Sequence, residues 1–128
     1  MPVTYLSQEW IDQYNAALAG DEAVRAALKG KSATLQMVIS GAPQGEIRYW
    51  LRIADGDAST GLGDAADADV TISQSYETSA QVNSGELDGQ KAFMQGKVKI
   101  SGKMLKMMQL RSPLEKVQAA LNTIDTEY

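Results

Sequence analysis

The most informative pattern in this sequence lies in residues 92–110, AFMQGKVKISGKMLKMMQL. Its hydrophobic period changes twice, which is typical of a helix, a strand and a second helix in succession. Residues up to Gly96 have helical spacing, residues 97–101 alternate between polar and apolar, and helical spacing returns after Gly102. The two glycines favour breaks between the three elements.

The same stretch holds four of the six methionines of the chain, at positions 94, 104, 107 and 108. A helical wheel places Met104, Met107 and Met108 on one side of the second helix. Because a thioether side chain is unbranched and polarizable, clustered methionines accept variable apolar shapes better than branched side chains do. The pattern therefore predicts a wall that faces a flexible apolar ligand.

These residues also carry a family resemblance. The segment AFMQGKVKISG, followed by Met104 and by the MMQL of residues 107–110, closely resembles the signature of the sterol carrier protein type-2 family. The ADVTI of residues 68–72 and the spacing of Gly85, Leu87 and Gln90 extend the resemblance over residues 45–110. In that family, helices cover a five-stranded sheet, and an apolar tunnel between the two layers holds fatty-acyl chains or sterols.

We predict a ligand site formed by the end of the helix before Gly96, by the strand of residues 97–101 and by the helices that follow it. Phe93, the only phenylalanine, is by default interpreted as a core anchor, but its place beside Met94 and Gln95 at the start of the strand favours a ligand-lining role nearly as much. Gln95 is the predicted polar contact for a headgroup or hydroxyl. The predicted ligand-binding residues are Phe93, Met94, Gln95, Ile100, Met104, Leu105, Met107, Met108 and Leu121. No catalytic residue, metal ligand or cofactor is predicted.

Length and composition narrow the function. A chain of 128 residues is expected to form one domain, residues 1–128, that buries about two-thirds of its unfolded surface. The sequence has no cysteine and no histidine, so thiolate chemistry, the usual nucleophile and base pairs and common zinc sites are excluded. We therefore expect a binding protein and no enzyme.

Charge is unevenly distributed. The formal net charge is −4, yet residues 1–90 hold 5 basic and 13 acidic side chains, whereas residues 91–128 hold 7 basic and 3 acidic ones. Lys103, Lys106 and Arg111 are candidates for transient contact with anionic membranes, while Lys97 and Lys99 are better interpreted as the outer face of a strand. The sequence shows neither a secretory signal nor a run of about 20 apolar residues, so a cytoplasmic protein is expected.

The remaining elements follow from local signals. Ser7 is predicted to cap a first helix with Trp10 and Tyr14 in the core, and residues 33–40 and 46–53 are predicted to form a hairpin. A solvated acidic loop is expected at residues 64–69. Ser112 and Glu115 form a capping box, with Pro113 in the favoured first helical position, and these signals predict a separate last helix from Pro113 to Ile124. This helix either packs on the domain as part of the core or, in the sharper hypothesis, covers the site.

On the outer face of the predicted hairpin, Arg48 and Arg52 flank Trp50. Such a group fits an anion or a nucleobase, but no basic stripe or nucleic-acid motif surrounds it. An exposed sheet face is therefore the better interpretation, and no nucleic-acid partner is expected.

The sequence thus predicts an α+β fold, with a mostly antiparallel five-stranded sheet covered on one face by helices and an apolar tunnel between them. The predicted function is non-catalytic binding, with intracellular transfer, of a fatty acid, a fatty-acyl ester or a sterol-like lipid. The first alternative is a protein-interaction module with a filled core. The weakest alternative is a small enzyme that modifies lipids through a tyrosine or a carboxylate.

Overall fold

A computed structural model of the chain describes residues 2–128. Four consecutive strands within residues 32–75 separate a pair of helices on each side, and such runs of like elements are expected for an α+β protein. The helices are α1 (Gln8–Gly20), α2 (Glu22–Leu28), α3 (Tyr76–Ser84), α4 (Gly89–Met94) and α5 (Met104–Leu121). The strands are β1 (Val3–Thr4), β2 (Ser32–Ala42), β3 (Gly45–Ala54), β4 (Asp57–Leu62), β5 (Val70–Ser75), β6 (Val98–Gly102) and β7 (Thr126–Glu127).

Five strands form the main sheet in the order β4-β3-β2-β5-β6. Three of its neighbouring pairs are antiparallel, and the central pair β2-β5 is parallel. The expected mostly antiparallel five-stranded sheet is therefore confirmed. The short strands β1 and β7 pair separately, in parallel, and so join the two ends of the chain.

One face of the main sheet forms the core with the helices. Strand register places Leu51, Leu35 and Val70 in one row across β3, β2 and β5, and all three are buried. The helix α1 contributes Trp10 and Tyr14 to the same core, as predicted. The opposite face of the sheet carries the exposed side chains of Arg48, Arg52 and Lys99, so the helices cover one face only.

Side-chain caps fix most helix starts, and Ser7 does so as the sequence predicts. The hydroxyl of Ser7 accepts a hydrogen bond from the amide of Trp10, and Asp21 caps α2 in the same way. Ser75 and Asp88 cap α3 and α4. Each side chain satisfies an amide that has no acceptor within its own helix.

The prediction of a separate last helix that begins at Pro113, with Ser112 as its N-cap, is wrong. The helix α5 runs without interruption from Met104 to Leu121 and includes Pro113. Proline has no N–H to give to the carbonyl of Gln109, so this turn lacks one helical bond. The ring of Pro113 is buried, and packing of this apolar surface offsets part of that loss.

Candidate ligand-binding site

The core face of the sheet is incompletely covered over one row of side chains. This row crosses β3, β2, β5 and β6 and consists of Tyr49, Met37, Ile72 and Ile100 in that order. Tyr49 and Ile72 are buried, but Met37, on the central strand, and Ile100 remain only partly buried. A core-facing residue of a central strand is normally closed off by the layer above it, so the helices leave space over this row.

Helices α3 and α5 border this space. The helix α3 packs on β2 and β5, and α5 packs on β5. The buried side chains that α3 presents are small and polar, namely Thr78, Ser79 and Asn83, and such side chains fill less volume than Leu or Phe. We refer to the space between α3, α5 and the Met37–Ile100 row as the apolar seam.

Partly buried apolar side chains lie at the margin of the core. Besides Met37 and Ile100, the partly buried apolar side chains packed against the core include Val82, Leu87, Met107 and Leu114. Two of these six are methionines, which adapt to irregular shapes. The surface therefore suits a hydrocarbon chain better than a polar metabolite.

The nine predicted site residues fall into two groups. Ile100, Met107 and Leu121 pack against the core, and the first two border the apolar seam. The other six point outward: Phe93, Met94, Gln95, Met104, Leu105 and Met108. Leu105 and Met94 are 76% and 81% exposed, so neither lines an enclosed space here. The predicted single methionine wall is thus divided between the two faces of α5.

Met37 borders the seam but was missed from the sequence. Met37 lies in the alternating pattern of a core-facing strand residue, and this pattern carries no sign of how completely a helix covers it. The small residues of α3 were the available signal, because they make a poor cover for a sheet.

A carboxylate anchors the start of α5 to the sheet. Oδ2 of Asp69 accepts a hydrogen bond from the amide of Thr34 at 2.9 Å, and Oδ1 lies 3.1 Å from Nζ of Lys103. Lys106 Nζ lies 3.5 Å from Oδ2 and 3.0 Å from the carbonyl oxygen of Ser32. The hydrogen bond from Thr34, joined by Lys103, lowers the pKa of Asp69. The expectation of a solvated loop is therefore wrong for Asp69.

Buried tyrosines surround Trp10 on the other side of the core. The ring of Trp10 lies 4.9 Å from that of Tyr5, 5.3 Å from that of Tyr14 and 5.7 Å from that of Tyr49, measured between centroids. Burial raises the pKa of each tyrosine. Within residues 2–128, the indole N–H of Trp10 is a buried donor without a hydrogen-bond acceptor.

Two open clefts lie away from the predicted site. One, of about 510 Å³, lies where the α1–α2 turn meets the end of α5. The other, of about 490 Å³, lies between residues 30–33 and the side chains of Lys106, Gln109 and Leu110. None of the nine predicted residues lines either cleft.

Among the described residues, no helix is both long and apolar enough to cross a membrane. No group of three or more acidic, histidine or cysteine side chains in residues 2–128 is arranged to hold a metal ion.

The architecture is that of a small α+β domain with a one-sided helical layer, and comparison with known proteins identifies its family. The model of the SCP-2 sterol transfer family matches residues 13–115. The chain belongs to this family, and the resemblance found in residues 45–110 is confirmed. No curated protein sequence matches the chain.

Solved structures confirm the fold. A crystal structure of sterol carrier protein 2 superposes with a TM-score of 0.80 at 20% identity, over 94% of this chain and 98% of that one. The solution structure of palmitated SCP2L2 from Aedes aegypti superposes with a TM-score of 0.62 at 18% identity, over 95% of this chain and 100% of that one. The sec-alkylsulfatase Pisa1 from Pseudomonas sp. superposes with a TM-score of 0.53 at 23% identity. This superposition covers 81% of this chain and 14% of that enzyme.

Proposed function

We propose that this protein is a non-catalytic lipid carrier that binds one fatty acid, fatty-acyl ester or sterol-like molecule in the apolar seam and transfers it within the cytoplasm. Membership of the SCP-2 sterol transfer family supports the ligand class. The palmitated state of the Aedes aegypti protein, which shares the fold, favours a fatty-acyl chain. In this proposal, residues 1–128 act as one unit.

The observation that carries the proposal is the incomplete burial of Met37. It lies on the innermost strand with β3 and β5 on either side, yet the helices leave it partly accessible. Leaving apolar surface uncovered at the centre of a sheet costs stability. A bound hydrocarbon chain would recover that free energy, because it would cover Met37, Ile100 and Met107 together.

Burial of hydrocarbon supplies the affinity in this account. Each buried methylene contributes about 0.8 kcal/mol before the entropy of binding is subtracted. An extended acyl chain thus needs no strong polar anchor for useful affinity. The preference among lipids would then depend mainly on chain length and shape.

Two adjacent methionines give a matched test of where the ligand binds. Met107 packs inward at the seam, whereas Met108 is 70% exposed. The Met107→Trp variant places a larger side chain in the seam and is expected to weaken binding of a fluorescent fatty acid at least tenfold. The Met108→Trp variant changes the same helix by the same substitution and is expected to bind like the wild type. Thermal melts of both variants check that they fold.

Equal binding by wild type and both variants would remove the ligand from the seam. Absence of saturable binding by folded wild-type protein would reject lipid carriage itself. It would favour the second candidate, an interaction module. That candidate draws support from the larger alkylsulfatase, in which a domain of the same fold is only a small part of the chain.

A further inference from the structure

The two edges of the main sheet differ in how the rest of the chain covers them. At the β4 edge, the side chain of Asn15 on α1 accepts a hydrogen bond from the amide of Thr60 at 2.8 Å and donates one to the carbonyl oxygen of Thr60 at 2.9 Å. This side chain thus takes the place of a neighbouring strand at that edge. At the opposite edge lies β6, which pairs only with β5.

The outer edge of β6 has no such cover. Within residues 2–128, no backbone group outside the sheet forms a hydrogen bond with Val98–Gly102. A strand that is paired on one side only leaves alternate N–H and C=O groups facing outward, so β6 offers a row of unpaired backbone donors and acceptors. Its register with β5 is unbroken and it contains no proline, so it lacks two features that commonly protect an edge strand.

The two faces of β6 differ in polarity. On the outer face of the sheet, Lys97, directly before the strand, and Lys99 are exposed, and Lys99 lies beside Ser73 of β5. On the core face, Ile100 is only partly buried and lies beside Ile72. A strand added at this edge would place alternate side chains next to the lysines on one face and next to Ile100 on the other. The edge therefore suits a segment in which acidic and apolar residues alternate.

Electrostatics also favours an acidic segment. Residues 89–111 contain six basic side chains and no acidic one. Neither Lys97 nor Lys99 takes part in an ion pair within residues 2–128. Their charges are therefore available to carboxylates on a neighbouring strand, and opposite charges across a strand pair stabilise the pairing.

We propose that the β6 edge is a docking surface for an extended acidic segment of a partner protein, which adds a further strand to the five-stranded sheet. Backbone hydrogen bonds to Val98–Gly102 would supply the pairing, and carboxylates of the partner would lie beside Lys97 and Lys99. Apolar, β-branched side chains of the partner would extend the row that contains Ile72 and Ile100. This docking surface does not depend on the proposed lipid carriage.

Charge makes a second copy of the chain a poor occupant of this edge. Antiparallel pairing of two β6 strands in one continuous sheet would bring Lys97 and Lys99 of both copies to the same face. No acidic side chain occurs among residues 89–111 to separate them, and like charges on neighbouring strands are destabilising. The lysines therefore oppose self-association, as charged residues on edge strands commonly do, and still admit an acidic strand.

A short synthetic peptide that alternates glutamate and valine, with blocked ends and a fluorescent label, tests the proposal by anisotropy. The wild type is expected to bind this peptide more tightly than a counterpart with lysine in place of glutamate. Two further peptides carry N-methyl groups on alternate amides, along one edge of the extended chain or along the other. Because an added strand pairs through one edge only, one of the two should lose at least about tenfold in affinity, and the other should stay within about twofold of the parent peptide.

Matched variants of the protein locate the bound peptide. Lys97→Gln with Lys99→Gln should weaken binding at least about threefold. Lys29→Gln with Lys116→Gln removes two exposed lysines elsewhere and should bind like the wild type. Shifts of backbone amide resonances on addition of the peptide should centre on Val98–Gly102.

Several results would overturn the proposal. These are no binding of the glutamate peptide at millimolar concentration, equal binding of the glutamate and lysine peptides, equal binding of the two N-methylated peptides, and resonance shifts centred on another surface. Analytical ultracentrifugation tests the other occupant. A wild-type dimer that the glutamate peptide does not dissociate, with the amides of Val98–Gly102 protected from hydrogen exchange, would assign the edge to a second copy and also overturn the proposal.

Discussion

Lys103 Nζ and Asp69 Oδ1 lie 3.1 Å apart, across the junction between β6 and α5. The backbone repeats this connection, since the amide of Lys103 donates to the carbonyl oxygen of Asp69 at 2.8 Å. Asp69 also accepts from the Thr34 amide. Asp69, which directly precedes β5, therefore fixes the position of β2 and of α5, the helix that borders the seam.

Replacement of Asp69 by Asn should lower the free energy of unfolding by about 1 kcal/mol, because the charge-assisted bonds weaken and the lysines are partly exposed. The exposed Asp67 provides the matched control, Asp67→Asn, which should leave stability nearly unchanged. Urea unfolding at neutral pH compares the two. Equal effects would show that the Asp69 contacts add no stability.

The same substitution has a predictable pH dependence. The pKa of Asp69 is lower in the folded protein than its ordinary value of 3.8. The stabilisation is therefore present above that value and lost as the pH falls through the folded-state pKa. The stability difference between wild type and Asp69→Asn should shrink in acid. A difference that stays constant from neutral pH to pH values well below 3.8 would contradict this account.

Gly102 should tolerate substitution poorly. Its φ is +108°, and a Cβ there would clash with the carbonyl oxygen of Asp69. Gly45 has a similar φ of +100° but open space around the Cβ position. Gly45→Ala should therefore cost about 1–2 kcal/mol for the backbone conformation alone, and Gly102→Ala more than about 3 kcal/mol. Chemical denaturation measures both, and equal losses would show that the close approach relaxes freely.

The uninterrupted α5 predicts the effect of replacing its proline. Pro113→Ala restores an N–H that can donate to the Gln109 carbonyl, and alanine avoids the ring clash within a helix. Because the variant loses the apolar contacts of the buried ring, part of this gain is offset. We expect the free energy of unfolding to rise by about 1–2 kcal/mol. A loss of stability in thermal melts would instead favour a helix that begins at Pro113, as the sequence indicated.

The aromatic cluster predicts alkaline unfolding. Burial raises the folded-state pKa of Tyr14 and Tyr49 above the ordinary value of 10.0, so their stabilisation is complete below pH 10 and lost as the pH rises further. Each such tyrosine adds a slope of about 1.4 kcal/mol per pH unit. Tyr14→Phe should flatten the loss of stability above pH 10, and the half-exposed Tyr128→Phe should do so less. If the wild type and both variants lost stability equally above pH 10, the link between the buried tyrosines and alkaline unfolding would be contradicted.

The sequence carried most of the fold because local signals agree with tertiary structure. Alternation in residues 46–53 and the cap Ser7 each act over a few residues, and the strand and the helix that they predict are present. The start of the last helix was misplaced, since the capping signals at residues 112–115 compete with helical packing on the core. The local signals favoured a new helix, whereas burial of Pro113 accompanies a continuous one.

The candidate site was only partly predictable. The methionine pattern located α5. However, a period of 3.6 residues shows which side chains share a face of the helix and does not show which face packs on the core. Met107 and Met108 are 100° apart on the helix, so adjacent methionines point to different environments. Coverage of Met37 depends on how far α3 and α5 lie from the sheet. That distance is a property of packing between elements distant in the sequence, which no local pattern contains.

Native mass spectrometry of the purified protein, before and after incubation with a long-chain fatty acid, tests lipid carriage most directly. We predict a mass increase that corresponds to one lipid per chain, with the bound molecule recovered by solvent extraction. Met107→Trp should reduce the bound fraction and Met108→Trp should retain it. A folded protein that carries no lipid as purified, and takes up none on incubation, would contradict the account.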